Sequence, residues 1–113
     1  MTHEARQREL RIYEDGEGNR PYPDWLLHLR DKRTRVRIIR RIDRVQQGNF
    51  GDHKGVGEGV FELRMHFGPG YRVYFAEDGD VIVVLLCGGD KSTQARDVER
   101  AQQYWNDYKE RLK

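Results

Sequence analysis

From Val60 to Phe67 apolar and polar residues alternate, so that Phe61, Leu63, Met65 and Phe67 fall on one side of an extended chain and Val60, Glu62, Arg64 and His66 on the other. The turn 68-GPG-70 folds the chain back into 70-GYRVYF-75, and the pair reads as a β-hairpin. If Arg64 lies opposite Tyr74 and His66 opposite Arg72, one face of the hairpin collects Arg64, Arg72, Tyr74 and His66. A third run, 81-VIVVLLC-87, is apolar without alternation and predicts a central strand covered on both faces. Upstream, a strand is expected around Glu9 to Tyr13, followed by the loop 14-EDGEGNRPYP-23 and a short helix starting at Pro23. Trp25, Leu26 and Leu29 supply that helix's packing face, with His28 at its rim. The glycine-rich stretch 48–59 reads as a long connection into the hairpin.

Two longer helices follow from the 3.6-residue period. Between Arg30 and Gln47 the residues Val36, Ile38, Ile39, Ile42 and Val45 occupy one arc, while Arg33, Arg37, Arg40 and Arg44 form a stripe opposite, with Arg41 beside it. Arg35 projects into the apolar arc and must snorkel or find an acid. Gly48 and Asn49 supply the stop. At the C-terminus Val98, Ala101, Trp105, Tyr108 and Leu112 recur at spacings of three and four, with Tyr104 off the stripe. Ser92 or Thr93 is placed to cap this helix, whose free N–H groups then face the loop 88-GGDKST-93. The elements together predict a single α+β domain over 1–113: a mainly antiparallel sheet of about four strands, a helical pair after the first strand, and a closing helix.

The net charge of +2 hides an asymmetry. From Arg30 to Arg44 eight Lys or Arg stand against two Asp, whereas the rest of the chain has thirteen basic and seventeen acidic residues. Arginine at this density with few compensating acids suits nucleic-acid phosphates or an acidic protein partner, and a solvated helix face is the plainer alternative. Cys87 stands alone in an apolar run, as a buried structural thiol in a reducing compartment does. No apolar segment of signal or membrane-span length occurs, so a cytoplasmic, soluble protein is expected. His3, His28, His53 and His66 share no spacing with a ligand set, and neither a metal nor a cofactor is expected.

The cations on the predicted sheet carry the candidate chemistry. Arg64, Arg72 and Lys91 converge if the hairpin and the loop after the central strand are neighbours, and such a cluster suits a phosphate chain. An alternative pairs Arg72 with Glu62 across the hairpin as a structural contact. At 19-NRPYPDWL-26, 47-QGNFGDHKGVGEGVFELR-64, 70-GYRVYF-75, 85-LLCGGDKSTQ-94 and 101-AQQYW-105 the chain resembles the RelE/ParE superfamily of toxins from toxin-antitoxin modules. The likeness is to its HigB-like, phage Gp49-like branch of addiction-module killer proteins. It implies a RelE-like α+β fold and a type II toxin acting as a ribosome-dependent mRNA endonuclease, without cofactor, on messages in the decoding site. It also implies neutralisation by a cognate antitoxin of helix-turn-helix type. By the same resemblance Arg72 matches the arginine that holds the scissile phosphate, Arg64 a basic residue on the preceding strand, and Lys91 a further catalytic cation. The general base is unassigned, because the chain offers Tyr104 and Tyr108 only within a long helix; Tyr74, His66 and Asp90 are the substitutes. Arg33, Arg37, Arg40, Arg41, Arg44 and Lys54 are the candidates for binding RNA or antitoxin. A gyrase-directed toxin, or a relative that binds a partner and cuts nothing, is the other reading.

Overall fold

The computed structural model of the chain describes residues 6–112. Five strands form one mixed sheet in the order β1-β5-β4-β3-β2: β1 Glu9–Ile12, β2 His53–Gly57, β3 Val60–Met65, β4 Tyr71–Asp78 and β5 Ile82–Asp90. Helices α1 Pro21–His28 and α2 Lys32–Gln46 lie between β1 and β2, and α3 Gln94–Arg111 closes the chain after a short 3-10 turn at Lys91–Thr93. β1 runs parallel to β5 and the remaining neighbours are antiparallel. The α+β class, the helical pair, the hairpin and the closing helix stand as the sequence pattern predicts.

The fifth strand is the difference. β2 pairs with β3 from His53↔Leu63 to Gly57↔Val60, yet only Val56 of its five residues is even half-buried. An edge strand of exposed polar residues and glycine has no apolar alternation to betray it. It turns into β3 through Gly57, Glu58 and Gly59, all at positive φ, as a tight hairpin turn requires. The first helix also starts earlier than expected, at Pro21, and buries Tyr22.

Two apolar layers cover the sheet. On one face Leu63, Met65, Val73, Phe75, Val83 and Leu85 meet Tyr22 of α1 and Ile38, Ile42 and Val45 of α2. On the other Val60, Tyr74, Ala76, Val84 and Leu86 meet Ala101, Trp105 and Tyr108 of α3. The buried stripe of α2 is therefore narrower than the sequence arc, since Val36 and Ile39 are exposed. Arg35 resolves its conflict by donating to the Leu29 carbonyl. Along α3, Leu112 is exposed, while Tyr104 is held against Tyr13 with ring centroids 4.9 Å apart.

The paired glycines after β5's apolar run allow a close approach from both sides. A Cβ on Gly88 would lie 2.1 Å from the Trp25 ring, and one on Gly89 would lie 1.8 Å from Asp97 Oδ2. Gly-Gly here is a packing device at the end of a strand.

The single thiol is buried between sheet and α3, and its removal from water, reinforced by the charge of Asp97, pushes Cys87 up to about 12. At pH 8 such a thiol is ionised in roughly one molecule in ten thousand. Iodoacetamide should therefore leave the native protein unlabelled at pH 8 and modify it fully in urea, by mass spectrometry. Rapid labelling in native buffer would place the thiol outside the core.

Candidate functional site

The hairpin register differs from the expected one. Arg64 pairs with Arg72 and Glu62 with Tyr74, and His66 lies past the last pair, Met65↔Tyr71. Arg64, Arg72 and Tyr74 still share a face, because opposed residues in an antiparallel pair project to the same side. What changes is that Glu62, already on this face, comes to lie opposite Tyr74, and His66 moves onto the loop.

Arg64, His66, Arg72 and Lys91 line one open cleft of about 510 Å³, floored by the turn Gly68–Gly70. Each is set by a different element. Arg72 donates from Nη1 to the Gly70 carbonyl at 2.7 Å, and its Nε lies 3.6 Å from Glu62 Oε2. The Glu62 side chain has no solvent exposure. Its Oε2 accepts from the Tyr74 hydroxyl at 3.1 Å and from Gln94 Nε2 at 2.8 Å. Arg72 is thus both a structural partner of a buried acid and a wall of the cleft.

A second anchor lies on the opposite side. Arg41 of α2 donates to the carbonyls of Arg64 at 2.7 Å, Phe50 at 2.9 Å and Asp52 at 3.0 Å, which ties the loop before β2 to β3. So held, Asp52 accepts from His66 Nε2 at 2.5 Å and from Arg64 Nη2 at 3.3 Å. The carboxyl of Asp52 is held below its ordinary range by the His66 hydrogen bond first and then by the charge of Arg64. That favourable contribution is complete above the ordinary value of 3.8 and is lost as pH falls through the lower folded value. With Nε2 donating to Asp52, Nδ1 of His66 is the nitrogen left to accept a proton. Lys91 stands in the 3-10 turn, which Asp90 caps by accepting from Ser92 N at 2.8 Å, while Thr93 takes the expected N-cap position of α3 without a side-chain cap hydrogen bond. Lys91 has no ion pair among the described residues.

The remaining candidates separate by place. Tyr74 does not reach the cleft: its ring is fully buried, and burial, with the charge of Glu62 adding, pushes its phenol far up from its ordinary value. Tyr108 is equally occupied at the far end of the sheet, accepting from Arg11 at 2.7 Å and donating to Asp78 at 2.9 Å. Arg41 is committed to carbonyls and is not a free surface cation. Lys54 is exposed on the β2 edge opposite Glu62 and lines neither cleft described here. Arg37, Arg40 and Arg44 line a second cleft of about 560 Å³ between α2 and the hairpin tip, and Arg33 lies further along α2 beside Arg37 and Arg40. Asp52 and Gln94 are the residues that sequence reasoning missed. Nothing in a glycine-rich loop or a helix start marks them, because their roles arise from contacts across 14 and 32 residues of chain.

Among the described residues no group of three His, Cys, Asp or Glu side chains is placed to hold a metal ion, and no helix is long and apolar enough to cross a membrane. The family described as Phage derived protein Gp49-like (DUF891) matches residues 24–106. A protein of Haemophilus influenzae described as "Uncharacterized protein" is 51% identical over 81 residues, which is 72% of this chain and 82% of that one. The matched region begins in α1 and ends in α3, and it includes every residue of the first cleft.

The burial of Glu62 bears on how this site should be probed. Truncating Arg72 to Ala leaves a buried carboxylate with neutral partners only, and such a loss costs about 3–5 kcal/mol. Lys91→Ala, on the exposed side, should stay within about 0.5 kcal/mol of the parent. Urea denaturation should therefore place the Arg72→Ala midpoint well below the other two. Coincident midpoints would mean that Glu62 does not depend on Arg72.

Proposed function

This chain belongs to the Gp49-like family of phage-derived proteins, and on that footing we propose that it is the toxin of a type II toxin-antitoxin module. In this reading it has the RelE/ParE fold and acts as a ribosome-dependent mRNA endonuclease. The observation that carries the proposal is the convergence of Arg64, Arg72, Lys91 and His66 on one cleft, with His66 oriented by Asp52.

The reaction suited to these groups is internal displacement at phosphorus. His66 Nδ1 takes the proton of the 2'-hydroxyl, and the 2'-oxygen attacks the adjacent phosphorus. The bond from phosphorus to the 5'-oxygen breaks, and that oxygen takes a proton from water, giving a 2',3'-cyclic phosphate and a 5'-hydroxyl. Asp52 stabilises the imidazolium formed in the first proton transfer, as an acid behind a histidine does elsewhere. Arg64, Arg72 and Lys91 neutralise the charge that builds on the phosphorane oxygens. Tyr74, buried behind Arg72, takes no proton in this scheme; with Glu62 it fixes the guanidinium. Because the cleft is open and shallow, the ribosome supplies the orientation of the 2'-hydroxyl. The antitoxin is a helix-turn-helix protein, and covering this cleft or the arginines of α2 silences the toxin.

Induction without the antitoxin, with mapping of RNA ends on translated messages, tests the function. Cuts in register with codons are expected, and free RNA should be cut poorly by the purified protein. His66→Ala and Lys91→Ala should each lower cleavage roughly 100-fold, and Asp52→Asn should lower it less while leaving the fold intact. Uncut messages with a DNA-damage response would point to a gyrase-directed toxin, and unchanged growth to a partner-binding relative.

A further inference from the structure

The second cleft opens where the first one ends. Its wall on the hairpin side is Met65, His66 and Phe67, which the two clefts share, and its other wall is α2. Its volume of about 560 Å³ lies within the roughly 300–1,000 Å³ of small-ligand sites. At the junction the Arg37 guanidinium lies over the Phe67 ring, 3.7 Å from its centroid, and Tyr71 supports the same ring from 5.5 Å. At that distance the guanidinium is close enough to stack on the ring, and Arg37 is exposed, so its side away from the ring is open to a second flat group. Beyond it Arg40 and Arg44 stand one helical turn apart, about 5–6 Å at their Cβ atoms, which suits two oxygens of one phosphate. Neither has an ion pair among the described residues. Asp43 is the acid lining the cleft, against Arg37, Arg40, Arg44 and the committed Arg41.

We propose that this second cleft is the subsite for one nucleotide flanking the phosphate held in the first, its base stacked on the Arg37 guanidinium and its phosphate between Arg40 and Arg44. The inference rests on the endonuclease reading of the first cleft. Carboxylates of a protein partner would satisfy the arginines alone; the Arg37 platform backed by Phe67 matches a nucleobase, as in other single-strand binders. Direct continuity with the first cleft gives the spacing of neighbouring units on one strand.

The probes are a 2'-O-methyl trinucleotide, which cannot be cleaved, and the same sugar-phosphate backbone carrying no bases, each titrated by fluorescence anisotropy at low salt. The parent protein should bind the trinucleotide at least 10-fold more tightly. Arg37→Lys keeps the charge but not the planar platform, so it should lose most of that difference while binding the base-free backbone unchanged. Phe67→Leu, checked by its melting curve, should weaken the trinucleotide in the same direction. On translated messages, Arg37→Lys should relax the preference for the nucleotide beside the cut. Equal affinities for the two probes, or full rescue by Arg37→Lys, would overturn the subsite, the latter by reducing it to charge alone. So would a glutamate-rich peptide that binds here where the trinucleotide does not. Trinucleotide binding is read without turnover, so a parent protein that cuts no message would sink the endonuclease reading while leaving an Arg37-dependent stacking site standing.

Discussion

A carboxylate without solvent contact sits behind the open cleft, and the placing of the groups around it depends on its being answered. Glu62 is the fully buried acid of β3, and its Oε2 gathers the Tyr74 hydroxyl, the Gln94 amide and the Arg72 guanidinium. Those three belong to β4 and to the start of α3. A buried charge is costly unless its partners are all in position. The acid therefore makes the alignment of hairpin and closing helix a condition of the folded state, and Arg72 is held beside it by the ion pair and by its hydrogen bond to the Gly70 carbonyl. Rigidity of this kind is what a group meant to meet a transition state requires, since reorganisation during reaction would forfeit its electrostatic effect.

The other half of the cleft is assembled from α2. Arg41 was grouped by sequence with the free stripe, but its donors are spent on three backbone carbonyls, of which that of Asp52 also accepts from the Arg64 N–H of β3. Burial is the first reason its charge is disfavoured, and the neighbouring Arg44 adds to it. One turn before and roughly one turn after, Arg37 and Arg44 remain on the surface. A single helix thus carries a structural arginine among functional candidates of identical chemistry, and only the contacts of each distinguish them.

That distinction marks how far the sequence could be read. Strict alternation over 60–67 and the unbroken apolar run before Gly88 made β3 and β5 legible, because period and length are local properties. β2 was not legible: its pairing relies on main-chain hydrogen bonds, to which side-chain pattern contributes nothing. The face shared by Arg64 and Arg72 survived a wrong register, since a shift of the pairing by an even number of residues preserves sidedness. The same shift hid the partnership of Glu62 with Tyr74 and placed His66 on a strand it does not enter. Asp52, which orients His66, lies across a fold of the chain that no spacing rule connects.

The two glycines that end β5 set the thickness of the molecule at that point. Trp25 fills the space of an absent side chain from one face and Asp97 from the other, so α1 and α3 are drawn in toward the same two residues of strand. Lys91 follows this pinched segment after Asp90, the last residue of the strand. The strand beneath it is gripped from both faces like a hinge pin, while Lys91 itself is exposed. A long, flexible arm rooted beside so tight a contact can search for an anion without carrying the sheet along.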